Sequence, residues 1–234
     1  MHVQQEPILV IAAHADDIEF AAAGTIANWT AAGYPVTYCI VTDGSAGSNE
    51  PGANLATLVA RRQEEQRAAA AVLGVHDVRF LGYRDGILQP TLDLRRELTR
   101  LIREVRPFRV LCQDPTLVFA GNTYINHPDH RAAGEAALYA VFPSAETRPI
   151  FPELLAEGYE PHKVRELYLM FPSAPDLYLD ISDRIEQKIE SLLCHRSQLG
   201  PEVADWVRTW DAENGTKIGV TYAETFRVIR LVDN

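Results

Sequence analysis

Short apolar runs alternate with longer amphipathic segments along the first 141 residues of the chain. The apolar runs predict strands that are buried on both faces, over residues 8–13, 36–42, 78–81 and 110–112. The segments that follow them predict helices, over residues 18–32, 55–73, 92–105 and 128–141. Gly33 and Gly74 stand where the first two helices end, and Pro107 stops the third. This alternation predicts an α/β fold with a mostly parallel central sheet and helices on both faces.

The remainder of the chain follows a less regular pattern. Residues 143–161 contain several prolines and show no clear period. After them we expect a helix over 183–199 and strands over 167–171, 178–181 and 226–231. The chain shows no internal repeat, low-complexity tract or linker. We therefore expect a single domain over residues 1–234, in which the C-terminal part extends the core of the first part.

The overall composition restricts the class of protein and its partners. The chain of 234 residues carries a formal net charge of -10, which argues against non-specific binding to nucleic acid or to an anionic membrane. The amino terminus shows no signal-peptide pattern, and no apolar run approaches the roughly 20 residues that cross a bilayer. Cys39 and Cys112 stand in apolar strand-like runs, so we expect buried free thiols and a cytoplasmic location.

A first polar motif follows the first predicted strand. His14, Asp16 and Asp17 come directly after this apolar run. The carboxyl ends of parallel strands are where ligands and catalytic groups gather in such sheets. We therefore expect these three side chains at the functional edge of the sheet, although a single histidine at a strand end is more often structural.

A second polar motif, His127-Pro128-Asp129-His130, opens the fourth predicted helix. Pro128 predicts the first helical position, so His127 is expected near the N-cap and His130 in the first turn. Residues three apart on a helix share a face, and both imidazoles can then point at one site above the sheet. The occurrence of both motifs at strand-end loops favours one shared site over two structural histidines.

The combined motifs supply the ligands that a divalent transition metal prefers. Two imidazoles and a carboxylate suit zinc and leave a position open for water. The carboxylate is either Asp16 or Asp17, and the second imidazole is either His127 or His130. The surplus carboxylate and imidazole are then free for proton transfer and charge stabilisation, which together suit metal-assisted amide hydrolysis.

Two other functions are compatible with the same residues. A non-haem Fe(II) oxygenase would use His14, Asp16 and His130 as a facial triad, although that chemistry usually occurs on a different scaffold. A non-catalytic metal-binding α/β module would close the coordination sphere of its metal and hydrolyse nothing. A dinucleotide-binding function is disfavoured because no G-x-G-x-x-G motif follows the first strand.

Both motifs resemble those of the zinc-dependent de-N-acetylases of the PIG-L/LmbE type. The family usually has Ala-His-Pro-Asp-Asp where this chain has Ala13-His14-Ala15-Asp16-Asp17, and its second motif matches residues 127–130. The Arg-x-x-Glu helix of the family is similar to residues 62–65, and its next strand and loop resemble residues 80–86. The resemblance covers residues 7–142 well and implies a Rossmann-like, LmbE-like fold with a C-terminal extension.

The resemblance also implies a function for each motif residue. His14, Asp17 and His130 would bind Zn²⁺ or another divalent transition metal. Asp16 would be the general base, and His127 would stabilise the oxyanion and act as general acid. Asp129 would orient His127 or pair with its charge.

Further implications of the resemblance concern the substrate. Arg62 would contact substrate hydroxyls, and Asp85 would contact the substrate or support a metal ligand. The reaction implied is removal of an N-acetyl group from a small N-acetylated sugar or glycoside, by a protein of a family whose members are often homo-oligomers. Ala15 replaces the family proline, so we expect a looser turn that still binds the metal.

Overall fold

A seven-stranded sheet forms the centre of the computed structural model, which describes residues 5–231. Its strands are β1 (Ile8–Ala12), β2 (Val36–Thr42), β3 (Asp77–Tyr83), β4 (Arg109–Gln113), β7 (Glu166–Met170), β8 (Leu177–Asp180) and β9 (Ala223–Arg230). A separate hairpin contains β5 (Phe119–Ala120) and β6 (Tyr124–Ile125). The order across the sheet is β3-β2-β1-β4-β7-β9-β8, and only the pairings of β9 with β7 and β8 are antiparallel within this sheet of the described residues. The predicted α/β fold with a mostly parallel sheet is confirmed.

Helices cover both faces of the sheet. Their bounds are α1 (Asp17–Ala31), α2 (Leu55–Val72), α3 (Leu92–Val105), α4 (Pro128–Tyr139), α5 (Glu153–Ala156), α6 (Ile185–Leu192) and α7 (Val203–Gly215). Leu9 and Ile11 of β1 pack in a core with α3 and α4, whereas Ile8 and Val10 pack in a second core with α1. Because both faces of β1 are buried, every position of this strand is apolar.

The C-terminal part differs from the expectation in its helices. The helix expected over 183–199 is a 3₁₀ turn (Ser182–Arg184) followed by α6, which ends at Leu192. A separate helix, α7, then begins at Val203, after Gly200 and Pro201. The β5–β6 hairpin lies in a segment for which the sequence pattern predicts neither a helix nor a strand. Strands of two residues are too short to show an alternation of apolar and polar positions.

The second polar motif reaches the sheet through a close helix–strand contact. A Cβ atom at position 134 of α4 would overlap the carbonyl oxygen of Gln113, at the end of β4. Glycine at this position therefore lets α4 approach β4. The approach brings the first turn of α4 beside the carboxyl ends of β1 and β4.

Two further expectations concern thiols and membrane spans. Cys39 and Cys112 are buried and free, as expected. Within residues 5–231, no helix combines the length and the apolar character that crossing a membrane requires.

Candidate metal centre

The turn between β1 and α1 presents Asp16 to a cleft. Asp16 is the N-cap residue of α1, and its φ of 89° lies in the left-handed region that residues other than glycine rarely occupy. Its side chain makes no capping hydrogen bond. Asp16 instead lines the cleft, together with His14, Asp17, His127 and His130.

Asp17 is held by a glutamine that the sequence analysis did not single out. The Oε1 atom of Gln113 accepts a hydrogen bond from the Ala13 N–H (2.9 Å), and its Nε2 donates to Oδ2 of Asp17 (2.9 Å). The backbone N–H of His14 donates to the same Oδ2 (2.7 Å). This leaves Oδ1 of Asp17 directed at the ring of His130, whose Nε2 lies 3.0 Å away.

The start of α4 has the geometry that the position of Pro128 predicts. His127 is the N-cap residue, and its Nδ1 accepts a hydrogen bond from the N–H of Asp129 (3.2 Å). His130 lies in the first turn, and the rings of His127 and His130 are 5.5 Å apart between centroids. With Nδ1 of His127 in use, Nε2 is the atom of this ring that remains for other contacts.

The far side of the His14 ring contacts two carboxylates. Its Nε2 lies 3.0 Å from Oδ1 of Asp85 and 3.4 Å from Oδ2 of Asp129. Asp129 is fully buried and accepts hydrogen bonds from the backbone N–H groups of Gly86 (2.7 Å) and Leu88 (3.0 Å). The carboxylate expected on His127 therefore contacts His14, while the backbone N–H of Asp129 holds His127.

Two overlapping sets of side chains come close enough to share a metal ion. One potential ligand atom from each of His14, Asp17 and His130 lies within 4.8 Å of the others, and the same holds for a set of His14, Asp85, His127 and Asp129. In the first set, Gln113 occupies one oxygen of Asp17, and Asp85 occupies Nε2 of His14. The other ring nitrogen of His14, Nδ1, lies 3.4 Å from Oδ2 of Asp17, and Nε2 of His130 lies 3.0 Å from Oδ1 of Asp17. Two nitrogens and one oxygen so arranged fit a divalent transition metal.

The buried charges of this cluster favour a cation. Burial alone would lower the pKa of His14, but its hydrogen bonds to the surrounding carboxylates, Asp129 first, raise it to about 12. Burial raises the pKa of Asp16 to about 7, and the charge of Asp17 adds to this effect. Burial acts on Asp17 as well, but attraction and a hydrogen bond from His130 hold its pKa well below the usual range. Carboxylates this close together stabilise a positive charge between them.

The cleft above the cluster has a volume of about 270 Å³ and includes residues from distant segments. Arg62 of α2 lies at its wall, where Nη2 donates to the carbonyl oxygen of Ala15 (3.0 Å) and lies 3.5 Å from Oδ2 of Asp16. The neighbouring Arg61 is exposed and pairs with Glu65, so Arg62 is the arginine that faces the cleft. The remaining lining residues are Ala46, Gly47 and Tyr124, which sequence reasoning did not identify.

The Fe(II) oxygenase alternative requires Asp16 next to His14 and His130, but the structure places Asp17 there. The carboxylate that approaches His130 belongs to Asp17, and the group with shared ligand atoms contains Asp17. Asp16 pairs with Arg62. The geometry therefore separates the two aspartates that the sequence motif left equivalent.

Comparison with known proteins identifies the family. The family model described as PIG-L, GlcNAc-PI de-N-acetylase, matches residues 9–141. Diacetylchitobiose deacetylase of Thermococcus kodakarensis is 34% identical over 230 residues, which cover 95% of this chain and 82% of the relative. A probable N-acetyl-alpha-D-glucosaminyl L-malate deacetylase 2 of Bacillus anthracis is 30% identical over 209 residues, which cover 87% of this chain and 86% of the relative.

A solved structure agrees with these sequence matches. N,N'-diacetylchitobiose deacetylase from Pyrococcus horikoshii, determined with its inhibitor MPG, superposes with a TM-score of 0.89 at 31% identity, covering 96% of this chain and 84% of that one. The resemblance seen in the two sequence motifs is thus confirmed over nearly the whole chain. The chain belongs to the PIG-L family of GlcNAc-PI de-N-acetylases, the LmbE-like deacetylases.

Proposed function

We propose that this chain is a zinc-dependent hydrolase that removes the N-acetyl group from an N-acetylated amino sugar or glycoside. The observation that carries the proposal is the convergence of three ligand residues, His14, Asp17 and His130, in one cleft with a spare carboxylate and a spare imidazole. The family supports the reaction class, since the named relatives are deacetylases of N-acetylated sugars.

Zinc is the metal we infer, because two imidazoles and one carboxylate form the usual ligand set of a catalytic zinc ion. Bound there, zinc would supply a Lewis acid that polarises the amide carbonyl and lowers the pKa of water. Asp85 and Asp129 keep the His14 ring oriented through its Nε2. Gln113 does the same for Asp17, and partners of this kind maintain metal affinity.

Asp16 is the general base in this proposal. Its carboxylate is free of capping hydrogen bonds and faces the cleft beside Asp17, so it can accept the proton of the attacking water. His127 lies across the cleft with Nδ1 accepting the Asp129 N–H, so its Nε2 carries the proton. We propose that this N–H stabilises the developing oxyanion, and that Asp16 passes the proton it has taken from the water on to the leaving amine.

Arg62 is proposed to contact the hydroxyl groups of the sugar. Its guanidinium is buried at the cleft wall and is held by the carbonyl oxygens of Ala15 and Gly44 (3.0 and 3.2 Å). A fixed guanidinium loses little freedom on binding, which suits recognition of a polar ring.

The test is release of acetate by the purified, zinc-loaded protein from N-acetylglucosamine, diacetylchitobiose and N-acetylglucosaminyl malate. Asp16→Asn keeps the left-handed backbone, since Asn tolerates it, and should lower kcat by about 10²–10⁴-fold with zinc still bound. The exposed Asp205→Asn is the matched control and should retain wild-type activity. Wild-type activity in Asp16→Asn would refute its role as base, and no acetate from any sugar would refute the function.

A further inference from the structure

The start of α1 departs from the usual way in which helices are capped. An ordinary N-cap residue has an extended backbone, its side chain accepts a helical N–H, and a glutamate at the third helical position reaches back to the N-cap N–H. Asp16 has a left-handed backbone conformation, and its side chain makes no capping hydrogen bond. Glu19 stands at the third helical position. The carboxylate of Asp16 is thereby available to the cleft, but the backbone N–H of Asp16 needs another hydrogen-bond acceptor.

Gln66 of α2 supplies the missing acceptor. Its Oε1 accepts the Asp16 N–H (3.1 Å), and its Nε2 donates to Oε1 of Glu19 (2.8 Å). Gln66 and Glu19 are both fully buried. The side-chain amide thus bridges the two residues that would contact each other directly in an ordinary capping box, and it needs both an acceptor and a donor to do so.

His195, in the turn after α6, completes the chain of hydrogen bonds. Its Nε2 lies 3.2 Å from Oε2 of Glu19, and the residue is 1% exposed. Each oxygen of Glu19 therefore has a donor, one from Gln66 and one from His195. Because Glu19 accepts from Nε2 of Gln66, the amide of Gln66 must direct its oxygen at the Asp16 N–H.

We propose that Gln66, supported by Glu19 and His195, is a positioning residue for the carboxylate of Asp16. It satisfies the N–H that the left-handed turn exposes, and so keeps the carboxylate out of the helix cap and directed at the cleft. The inference rests on the proposed function of Asp16 as general base. Arg62, one helical turn earlier on α2, holds the preceding carbonyl of Ala15, so one face of α2 fixes the whole turn.

The main experiment compares Gln66→Met with Thr30→Val. Methionine keeps the length of the side chain but offers Asp16 and Glu19 no amide. The control removes a different α1–α2 contact, the hydrogen bond from Thr30 Oγ1 to the carbonyl oxygen of Leu73 (2.6 Å), at the far ends of the same helices. A general loosening of the helix pair would affect both variants alike.

Two readouts are measured on the zinc-loaded proteins. In Gln66→Met, amide hydrogen exchange at Asp16, followed by NMR, should accelerate about tenfold relative to neighbouring amides, as expected for loss of one hydrogen bond. The kcat for acetate release should fall about 10–100-fold, with KM and zinc content unchanged, because a small misplacement of the base affects the reaction and not substrate binding. Thr30→Val should change neither exchange at Asp16 nor kcat.

A second pair of variants tests the supporting histidine. His195→Gln retains a donor for Glu19 and should keep kcat within about threefold of wild type. His195→Leu removes the donor and should reproduce the kcat loss of Gln66→Met in part. Should His195→Leu fail to fold, His195→Asn serves instead, since its amide is too short to reach the position of Nε2 and so cannot donate to Glu19.

The outcomes separate this inference from the proposed function. Wild-type exchange at Asp16 and wild-type kcat in Gln66→Met would overturn the positioning role and leave the deacetylase proposal intact. Accelerated exchange in a protein that releases no acetate from any sugar would overturn the deacetylase proposal and support the positioning of Asp16.

Discussion

Two clusters of buried charge in this molecule have different consequences. The open cluster consists of His14, Asp17 and His130 with the surrounding aspartates, and it faces a cleft. The closed cluster consists of Lys188, Asp211 and Glu224, where Nζ of Lys188 lies 2.9 Å from Oδ2 of Asp211 and 2.9 Å from Oε1 of Glu224. All three residues of the closed cluster are at most 2% exposed.

The difference between the clusters lies in where the compensating cation comes from. Lys188 provides it within the closed cluster, and Glu224 also accepts hydrogen bonds from the N–H groups of Gly24 and Thr25. The open cluster combines several carboxylates with imidazoles whose ligand atoms converge beneath a cleft. Burial and charge by themselves therefore do not identify a functional site. Convergent ligand atoms with access to solvent distinguish the site that can take a metal from the one that only holds the fold together.

The largest effect is expected when the open cluster loses a residue that would bind the metal. Asp17→Asn loses the carboxylate ligand, so zinc content should fall to background and acetate release by more than about 100-fold, since even residues that only support ligands cost 10–100-fold. Added zinc at a thousandfold excess over Kd should stabilise the wild type by about 4 kcal/mol and leave the variant unchanged. Metal analysis and thermal unfolding measure both effects. Stoichiometric zinc in Asp17→Asn would contradict the ligand assignment.

The next largest effect is expected when the closed cluster loses its cation, which should lower stability without changing zinc content. Lys188→Met leaves Asp211 and Glu224 buried without their cation, which should lower the free energy of unfolding by about 3–5 kcal/mol. Urea denaturation measures the loss, and zinc content should stay at the wild-type level. The exposed Lys217→Met is the control, expected to change stability by less than about 0.5 kcal/mol. A loss of zinc in Lys188→Met would show that the two clusters are coupled.

A smaller effect appears as a pH dependence of the closed cluster. Burial raises the pKa of Asp211 from 3.8 to about 6, against the attraction of Lys188. Because the folded-state pKa lies above the unfolded value, the contribution of this group to stability is complete below pH 3.8 and is lost as the pH rises through about 6. Relative to Asp211→Asn, the wild type should lose on the order of 1 kcal/mol per pH unit across this window. The free energy of unfolding of both proteins is measured by urea denaturation at each pH. The same pH dependence in wild type and Asp211→Asn would contradict the raised pKa.

The smallest effect concerns the turn of the open cluster. Ala15 stands where the family has proline, and its carbonyl accepts a hydrogen bond from Arg62. Ala15→Pro should stabilise the fold by about 0.4–1 kcal/mol by restricting the unfolded chain, with zinc content and kcat unchanged. Chemical denaturation measures the gain. A loss of stability or of zinc would show that the turn needs a backbone conformation that proline cannot adopt.

Much of the fold could be predicted because a strand buried on both faces appears in the sequence as a continuous apolar run. β1, β2 and β4 lie between helices on both faces, so their apolar runs are visible in the sequence. The two-residue strands β5 and β6 and the four-residue helix α5 carry too few positions for a period to show. The sequence pattern therefore predicts the central sheet better than the C-terminal part.

The candidate site could be predicted as a set of residues but not as an arrangement. Strand-end position and the proline at the start of α4 bring both motifs to one edge of the sheet, and these are local signals. The partners of the motif residues are distant in the chain: Gln113 is 100 residues from Ala13, and Glu19 is 176 residues from His195. No local pattern indicates such pairs.

The sequence by itself determined the layered α/β alternation, the chemistry available in the two motifs and the family to which they belong. Only the tertiary structure decided which aspartate approaches His130, which carboxylates orient His14 and which glutamine accepts the Asp16 N–H. The physical reason is that hydrogen-bond partners depend on strand order and helix packing. These are set by the burial of the whole core, whereas the pattern along the chain records only whether each position is buried.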